Sequence, residues 1–411
     1  MTLSPIVKRI LIGSVFVIAV LALAYLLYIV FFRTTPTPPA PVNVNNGNIA
    51  LPNINETLQN INRENTNVDT TIPSVDTFED QTKKTAQVLT PSINAQDPAP
   101  ANDGSLRYYA PVDGKFYKVN SNGSITSLSD STFQDIEKVT WSDNSNEAIL
   151  EFPDGSNIYY NIDTNRQVTL PKEYEEFDFS PTSSKIVFKY MHIDQERRVL
   201  AVSNPDGTGA RTLESLGENA DHVMVEWSPT GKVAASYAEF IDLNRQELGF
   251  VGLKGENFKG TIVEGRGLQS SYSPSGKELL YSVYSSGTEY KPSLWIVDAD
   301  GEDIGKNRKE LKINTFANKC SFNSAGTTVY CGIPQEQKYG YGLEPGLLDG
   351  IGDDIYRIDI ATGSKTKVAT PLNGFGQATF SVDDDSMVIT EDSGQLFFRD
   401  KLTGQLIKID L

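Results

Sequence analysis

Two stretches of the sequence, WSPTGKVAASYA from Trp227 and YSPSGKELLYSV from Tyr272, decide the fold. Each begins with an aromatic residue, passes through a short polar turn and continues as an apolar strand. The unit recurs, with successive copies 38 to 58 residues apart, as WSDNSNEAILEF from Trp141, FSPTSSKIVFKY from Phe179, FNSAGTTVYCGI from Phe322 and FSVDDDSMVITE from Phe380. A repeat of this length, built from short strands, is typical of the blades of a β-propeller.

A second unit follows each of these stretches and also precedes the first of them. It is a hairpin, and most copies have a turn of the Asn-Gly, Asp-Gly or Thr-Gly kind. The copies are FYKVNSNGSITSL from Phe116, IYYNIDTNRQVTL from Ile158, LAVSNPDGTGARTL from Leu200, LGFVGLKGENFKG from Leu248, LWIVDADGED from Leu294, IYRIDIATGSKTKV from Ile355 and LFFRDKLTGQLIKI from Leu396. Seven hairpins predict an all-β, seven-bladed propeller over residues 105–411, with six blades as the alternative.

The first blade has no obvious innermost strand, because residues 97–102 read DPAPAN. Either part of residues 87–93 supplies that strand, or the first blade has only three strands. The aromatic residues that open the first unit are expected to lie between neighbouring blades, because stacking of the blades buries the two faces of each small sheet.

The turns FSPTS, WSPTG and YSPSG, together with NPDGTG and DADGED in the hairpins that follow, resemble the WD-like repeat of TolB-type propellers. The propeller domains of prolyl-oligopeptidase and dipeptidyl-peptidase enzymes share this motif. The resemblance covers residues 105–411 and implies the fold. A TolB-like N-terminal α/β domain does not fit the Asn- and Pro-rich tract, and we expect no hydrolase domain after Leu411. The resemblance therefore implies a binding or scaffolding propeller.

The N-terminal third predicts a membrane anchor and a linker. Residues 10–32 carry neither charge nor proline and are long enough to span about 30 Å of hydrocarbon as a helix. Lys8 and Arg9 place residues 1–9 in the cytoplasm and the propeller outside it, with residues 10–32 as a signal anchor. A cleaved signal peptide, whose apolar core is usually about 7–15 residues, is the alternative. Residues 33–104 are rich in Asn, Thr and Pro and predict a flexible linker.

Charge and composition exclude several classes of function. The chain has 36 basic and 53 acidic residues, a formal net charge of −17, so nucleic acid is not an expected partner. Its two histidines, His192 and His222, have no partner at ligand spacing, so neither a metal site nor a catalytic residue is predicted. Acidic turns such as DADGED from Asp298 offer oxygen ligands for calcium, but Asp before Gly is also what tight turns require. No cofactor is therefore predicted, with calcium as the alternative.

The two cysteines of the chain, Cys320 and Cys331, lie on the two strands of one predicted hairpin and are equidistant from its turn. Facing residues of an antiparallel pair have Cα atoms about 4.5–5.5 Å apart, which is within the range of a disulfide. An oxidising location outside the cytoplasm favours the bond. We therefore predict a disulfide, with two buried thiols as the alternative.

The loops that join the second and third strands should all open on one face, and those of blades three to six are the long ones. Long loops in compact domains are often functional, and those of blade six offer aromatic and apolar contact surface. The predicted binding residues in these loops are His192, Asp194, Arg197, Glu239, Asp242, Arg245, Tyr284, Tyr290, Tyr339, Tyr341, Leu343, Leu347 and Leu348. The sequence thus predicts a non-catalytic scaffold for a protein or an envelope polymer. The alternatives are a hydrolase or lyase, and a binder of a small ligand or sugar, that uses carboxylates in the central channel.

Overall fold

The computed structural model describes residues 82–90, 94–101, 103, 105–120, 123–256, 258–390 and 394–411. The predicted cytoplasmic segment (1–9), the predicted transmembrane helix (10–32) and the linker as far as residue 81 lie outside these residues. Within the described part of the chain, no helix is both long and apolar enough to cross a membrane.

The described chain starts with two short strands, β1 (Lys83–Thr85) and β2 (Gln87–Val88). The strands that follow fall into seven sheets, which are the blades. Blades one to three are β3 (Gln96–Pro100), β4 (Leu106–Ala110), β5 (Lys115–Val119) and β6 (Ile125–Ser127); β7 (Lys138–Trp141), β8 (Glu147–Glu151), β9 (Asn157–Asn161) and β10 (Arg166–Leu170); and β11 (Tyr174–Phe179), β12 (Ile186–Tyr190), β13 (Val199–Ser203) and β14 (Arg211–Ser215).

Blades four to six have the same plan. They are β15 (Val223–Val225), β16 (Val233–Asp242), β17 (Arg245–Gly252) and β18 (Thr261–Val263); β19 (Arg266–Tyr272), β20 (Glu278–Tyr284), β21 (Ser293–Asp298) and β22 (Lys309–Glu310); and β23 (Cys320–Phe322), β24 (Thr328–Pro334), β25 (Asp353–Asp359) and β26 (Lys365–Leu372). Blade seven contains β27 (Val388–Thr390), β28 (Gln395–Arg399) and β29 (Leu406–Asp410). Short 3₁₀ helices lie in the connections, at Gln195–Arg197, Gly217–His222, Ser286–Thr288, Gly301–Asp303, Ala317–Lys319 and Pro345–Leu348. The prediction of an all-β, seven-bladed propeller is confirmed.

The core consists of the layers between neighbouring blades. Trp141, on the first strand of blade two, packs with Phe116 of blade one and Tyr160 of its own blade, and its ring meets that of Phe116 edge to face at 5.4 Å. Trp227 and Tyr272 occupy the corresponding layers between later blades and are also buried. Edge-to-face aromatic pairs contribute about 0.5–1.5 kcal/mol beyond the area that they bury. The aromatic residue of the repeat is therefore the main contact between successive blades.

The ring is closed by the beginning of the described chain. Strand β1 pairs in parallel with β26 of blade six, and β2 pairs antiparallel with β29 of blade seven. Between the two strands, the backbone N–H of Ala86 donates to the carbonyl of Leu372 at 2.9 Å, and just after them Leu89 donates to Leu406 at 2.9 Å. Blade seven is thus completed by an N-terminal strand on its outer edge. We call residues 83–88 the clasp.

The structure also supplies the missing strand of blade one, from a place that neither expected alternative named. Strand β3 contains the first four residues of the DPAPAN segment, Asp97 to Pro100, and is innermost in its sheet. It pairs with β4, with a register shift and a positive φ of 47° at Asp97. Proline lacks a backbone donor but is tolerated on an edge strand, and the innermost strand of a blade is such an edge. The strands therefore begin at Lys83, upstream of the expected domain boundary at residue 105.

The two cysteines lie opposite each other on β23 and β24. Their Cα atoms are 4.1 Å apart, and the two sulfur atoms form a disulfide that spans 11 residues of sequence. The side chain of Cys331 is fully buried. The bond therefore fixes the two strands of blade six that lead into its longest loop.

Candidate functional site

The loops that join the second and third strands open on one face of the propeller, which we call the loop face. Apart from the added strand β1, which is parallel to β26, neighbouring strands of each sheet alternate in direction, and the first strands line the channel in the same direction. The connections from each last strand to the next blade open on this face as well. In blades three to six the second-to-third loops are residues 191–198, 243–244, 285–292 and 335–352.

In blade three, two of the predicted binding residues shape the loop itself. The carboxylate of Asp194 accepts the backbone N–H of Glu196 at 3.2 Å and caps the short helix that follows. The ring of His192 accepts the backbone N–H of Asp194 on Nδ1 at 2.9 Å. Arg197 lies in the helix and is exposed. Of these three side chains, only that of Arg197 is without such a role in the loop.

In blade four, the predicted residues lie on the hairpin of β16 and β17, the longest pair of strands in the described chain. Asp242 and Arg245 form an ion pair of 2.7 Å at the tip. The backbone N–H of Asn244 and then the Arg245 guanidinium lower the pKa of Asp242. Glu239 lies opposite Glu247 in the register, so the hairpin is acidic where it leaves the ring.

The tyrosines of blade five support the loop of blade six. A Cβ on Gly342 would lie 2.6 Å from the carbonyl oxygen of Tyr290 and 2.9 Å from the Cβ of Tyr284, so only glycine fits at this close approach. The rings of Tyr290 and Tyr339 meet edge to face at 5.9 Å. The loop of blade six therefore rests directly on that of blade five.

Two residues predicted to form exposed contact surface are instead buried, and this part of the prediction needs correction. Tyr341 is fully buried and packs with Leu348 against Phe316. The hydroxyl of Tyr341 donates to the carbonyl of Asn314 at 2.8 Å. The loop of blade six is long enough to enclose a small core of its own. Leu343, Leu347 and Tyr339 remain exposed, as expected.

Hydrogen bonds join the loops of three blades into one wall. Asn244, at the hairpin tip of blade four, accepts the Ser286 hydroxyl of blade five at 3.3 Å. Gly340 of blade six donates its N–H to the carbonyl of Glu289 at 3.0 Å, and Gly342 donates to Tyr290 at 2.8 Å. The wall is therefore held in place before any partner arrives.

Apolar side chains at the surface are concentrated on the loop face. Of the twelve large hydrophobic residues exposed in the described chain, ten lie in loops or hairpin ends on this face: Val112, Ile193, Phe240, Ile241, Leu243, Tyr339, Leu343, Leu347, Phe375 and Leu402. The other two, Ile125 and Ile262, lie on outer strands. Ile193 and Phe375 are more than nine-tenths exposed. The turns of the opposite face show no such side chain among the described residues.

The central channel is a cavity of about 840 Å³ to which all seven blades contribute. Its charged lining residues are Asp97, Glu137, Lys138, Asp143, Asp178, Glu226, Asp383, Asp384, Asp385 and Arg399. Eight carboxylates therefore face two cations, of which Arg399 is already paired with Asp383. Several of these carboxylates are buried enough that their charged form is disfavoured.

Two of the channel carboxylates connect neighbouring blades. Asp178 of blade three accepts the backbone N–H of Trp227 at 2.5 Å, and Glu226 of blade four accepts that of Tyr272 at 3.2 Å. Burial raises the pKa of Asp178 to about 7. The pKa of Glu226 is raised to about 8, first by burial and then by repulsion from Asp178. Burial, followed by repulsion from Asp384, raises the pKa of Asp385 to about 6.

A smaller cavity of about 270 Å³ lies between the loop of blade six and blade seven. Most of its wall area is apolar, although polar residues also line it. The lining residues are Gln269, Phe316, Lys319, Pro345, Leu348, Asp349, Gly350, Thr379, Ser381, Val382, Asp384, Lys401 and Leu402. Gln269 and Asp384 also line the channel, so the two cavities adjoin. We call it the side cavity.

The described residues contain no group of three or more His, Cys, Asp or Glu side chains arranged to hold a metal ion. The channel carboxylates are numerous, but two of them, Asp178 and Glu226, already accept backbone N–H groups of the next blade. The expected alternative of a calcium site therefore gains no support from this geometry.

No protein-family model matches the chain, and no curated protein matches its sequence. Among solved structures, the chain is similar to the β-propeller domain of Cps50 (Swd1) from Myceliophteria thermophila, with a TM-score of 0.51 and 12% identity over 77% of this chain and 97% of that one. Streptogramin B lyase gives 0.50 and 12% over 81% and 99%. A prolyl endopeptidase gives 0.50 and 12% over 79% of this chain and 51% of the enzyme.

At 12% identity these similarities show the fold alone. The class of protein is therefore a seven-bladed β-propeller with WD-like repeats. Because the similar structures include the propeller domain of Cps50 (Swd1), a lyase and a prolyl endopeptidase, the fold does not select between binding and catalysis. The choice between binding and catalysis therefore depends on the loop face, the channel and the side cavity.

Proposed function

We propose that the chain is a non-catalytic scaffold, anchored in a membrane by residues 10–32 and lying outside the cytoplasm, whose loop face binds another protein. The observation that carries the proposal is the concentration of ten exposed apolar side chains on this one face. Contiguous exposed apolar surface on one side of a protein marks interaction sites. Aliphatic and aromatic tips suit a protein partner better than an envelope polymer rich in hydroxyl groups.

The loop wall supports the same function. The loops of blades four to six are joined by hydrogen bonds and aromatic contacts, so little conformational entropy remains to be lost on binding. The polar residues predicted for the rim, such as Arg197 and Glu239, surround the apolar tips, as the polar rim of an interface does. The turns on the opposite face lack this arrangement in the described chain.

The location outside the cytoplasm rests on the apolar segment at residues 10–32 and on the disulfide between Cys320 and Cys331, a bond that persists in oxidising compartments. The TolB-like character rests on the FSPTS, WSPTG and YSPSG turns. Protease treatment of intact cells tests the location. We expect digestion of the propeller from outside, while a cytoplasmic control protein stays intact.

A second candidate function is binding or turnover of a small ligand or sugar in the channel. Its supporting observation is that carboxylates with a pKa near neutral, as general acids and bases have, line a cavity of ligand size. Against it, Asp178 and Glu226 use their oxygens to hold the next blade. Thermal-shift screening of sugars with wild type and Glu137→Gln tests it, because Glu137 lines the channel without joining the blades.

The main proposal is tested by capture of partners from the envelope of the source cells with the full-length chain in detergent. The variant Ile193→Asp/Leu243→Asp places charges on two of the most exposed tips of the loop face. The matched control, Ile125→Asp/Ile262→Asp, places two charges on the exposed apolar residues of outer strands. We expect the loop-face variant to lose a partner that wild type and control retain. Equal capture by all three would refute the proposal.

A further inference from the structure

We infer that the loop face binds a polypeptide segment in which an apolar side chain lies next to a basic one. The apolar side chain occupies the side cavity, and the basic side chain enters the acidic channel beside it. This inference rests on the proposed function and deepens it, because it gives the chemistry of the partner and the place of its anchor residue.

The side cavity has the size and walls of a pocket for one large side chain. Its volume of about 270 Å³ lies below the range of about 300–1,000 Å³ found for drug-sized ligands. Phe316, Leu348 and Val382 form its apolar walls. Buried pockets that receive a single apolar or aromatic anchor are the usual hot spots of protein interfaces.

The two cationic side chains that line this cavity, Lys319 and Lys401, do not make it a site for an anion. Lys319 is almost fully buried and forms an ion pair of 2.7 Å with the equally buried Asp353. Lys401 lies beside Asp384, which lines the same cavity. Each cation is thus offset by a carboxylate, and the cavity as a whole favours an apolar occupant.

The side cavity and the channel adjoin at Gln269 and Asp384, so a chain anchored in the first presents its neighbouring residues to the second. The exposed side chain of Leu402 lines the cavity and lies on the loop face. A partner approaching this face therefore reaches the cavity and the channel from the same side.

The charge of the channel determines the second part of the occupant. Burial raises the pKa of Asp178 to about 7 and that of Glu226 to about 8, so these two are at least partly protonated at neutral pH, and Arg399 offsets Asp383. Five other carboxylates remain against Lys138, which leaves the cavity negative, and Asp385 already experiences repulsion from Asp384 and Asp383. A lysine or arginine side chain placed there gains attraction and removes repulsion. The same field repels nucleic acid, acidic polysaccharides and anionic lipid surfaces. A basic and apolar polypeptide is thus the occupant that fits both cavities.

The inference is tested with three short peptides, blocked at both ends: Gly-Lys-Phe-Lys-Gly, Gly-Lys-Ser-Lys-Gly and Gly-Glu-Phe-Glu-Gly. Binding to the full-length chain in detergent is measured by calorimetry and by NMR at several salt concentrations. We expect the first peptide to bind at least about ten-fold more tightly than the other two. Similar affinity for all three, or no binding of the first, would overturn the inference.

Variants assign the two parts of the site. Leu402→Asp introduces a charge at the cavity and should remove the preference for Phe over Ser. Asp384→Asn/Asp385→Asn should weaken the first peptide about ten-fold and flatten its dependence on salt. Asp303→Asn, at an exposed position on the opposite face, is the control and should change neither. Unchanged binding in both site variants would contradict the inference.

Failure of the proposed function can be distinguished from failure of this inference. If Ile193→Asp/Leu243→Asp still captures the same proteins as wild type, the proposed function fails whatever the peptides do. If that variant loses its partner while the peptides show no preference, the loop face binds a protein of different chemistry and only this inference fails.

Discussion

Raising the pH from about 5 to about 8.5 should destabilise the propeller, because two carboxylates that join neighbouring blades lose their protons over this range. Glu226 accepts the backbone N–H of Tyr272, and Asp178 accepts that of Trp227. Both lie in the channel, where burial disfavours the charged form. Protonated, they join the blades without the cost of a buried charge; ionised, they carry that cost.

The sign follows from the direction of the shifts. A carboxyl group whose pKa is raised in the native state binds its proton more tightly there than in the unfolded chain. Its contribution to stability is fully present below the unfolded pKa and is lost as the pH rises through the native pKa, about 8 for Glu226. A rise from 4.5 to about 8 corresponds to about 5 kcal/mol. Because Glu226 remains partly open to the channel, we expect about half of this, roughly 2 kcal/mol.

The assay is thermal unfolding followed by circular dichroism at a fixed heating rate, at about pH 5 and about pH 8.5. For wild type we expect Tm to fall by about 5 °C between these conditions. Glu226→Gln keeps an oxygen that accepts the Tyr272 N–H but has no proton to lose, so its Tm should fall clearly less. Glu239→Gln, on the exposed hairpin of blade four, should behave as wild type.

Two results would refute this reasoning. A wild-type Tm that rises between the two pH values would show that the channel carboxylates do not control stability in this range. An equal fall of Tm in wild type and Glu226→Gln would show that the dependence comes from other groups. Asp178→Asn provides an independent check, because it neutralises the same repulsion from the side of blade three.

Three further predictions concern the frame of the ring. A chain that starts at Ser105 lacks β1, β2 and β3, and we expect it to aggregate on size-exclusion chromatography, whereas a chain that keeps these strands should stay monomeric. A fragment from Ser105 that is monomeric and unfolds cooperatively would contradict the role of the clasp in closing the ring. Replacing both Cys320 and Cys331 by Ser should lower stability by up to about 3 kcal/mol in chemical unfolding, since the closed loop spans 11 residues; an unchanged midpoint would show that the bond adds nothing. Gly342→Ala places a Cβ 2.6 Å from a backbone oxygen and should speed limited proteolysis within the blade-six loop with little change in Tm, whereas Gly346→Ala meets only the flexible ends of two side chains; equal cleavage of the two variants would contradict the close approach.

The repeat predicted the blades well because one physical requirement recurs in each of them. An aromatic residue such as Trp227 must fill the layer between two sheets, and a polar turn must follow it. Both signals are local, so they are visible in the sequence and keep their spacing. The number of blades, the positions of the hairpins and the pairing of Cys320 with Cys331 all follow from such local patterns.

The strands that close the ring were not visible for the opposite reason. Strands β1 and β2 have three and two residues, too few for any alternation to show, and their partners lie near the other end of the chain. Strand β3 contains Pro98 and Pro100, which argue against a strand unless it is known to lie at an edge. These strands exist because of their place in the ring rather than because of their own residues.

The candidate site, like the fold, could be predicted from the sequence only in part. Loop length indicated the contributions of blades five and six to the wall, but blade four contributes a long hairpin whose connecting loop has only two residues, and blade three does not join the wall. Tyr341 turned inward because its loop had enough residues to enclose a core. The tips Phe375 and Leu402 and the acidic channel come together only when seven blades close. Asp178 and Glu226, each directly before the repeat aromatic, carried the one local signal that we did not use.

The clasp has a consequence for how the protein is made. Strand β2 pairs with β29, so this early strand of the described chain has no partner until residues 406–410 have been synthesised. During that interval an open edge is available for pairing with other chains. Folding ends with the contact of greatest sequence separation, which makes completion slow compared with formation of the individual blades. Loss of β29 would therefore leave β2 without its partner and the ring open, although every other blade would keep its strands.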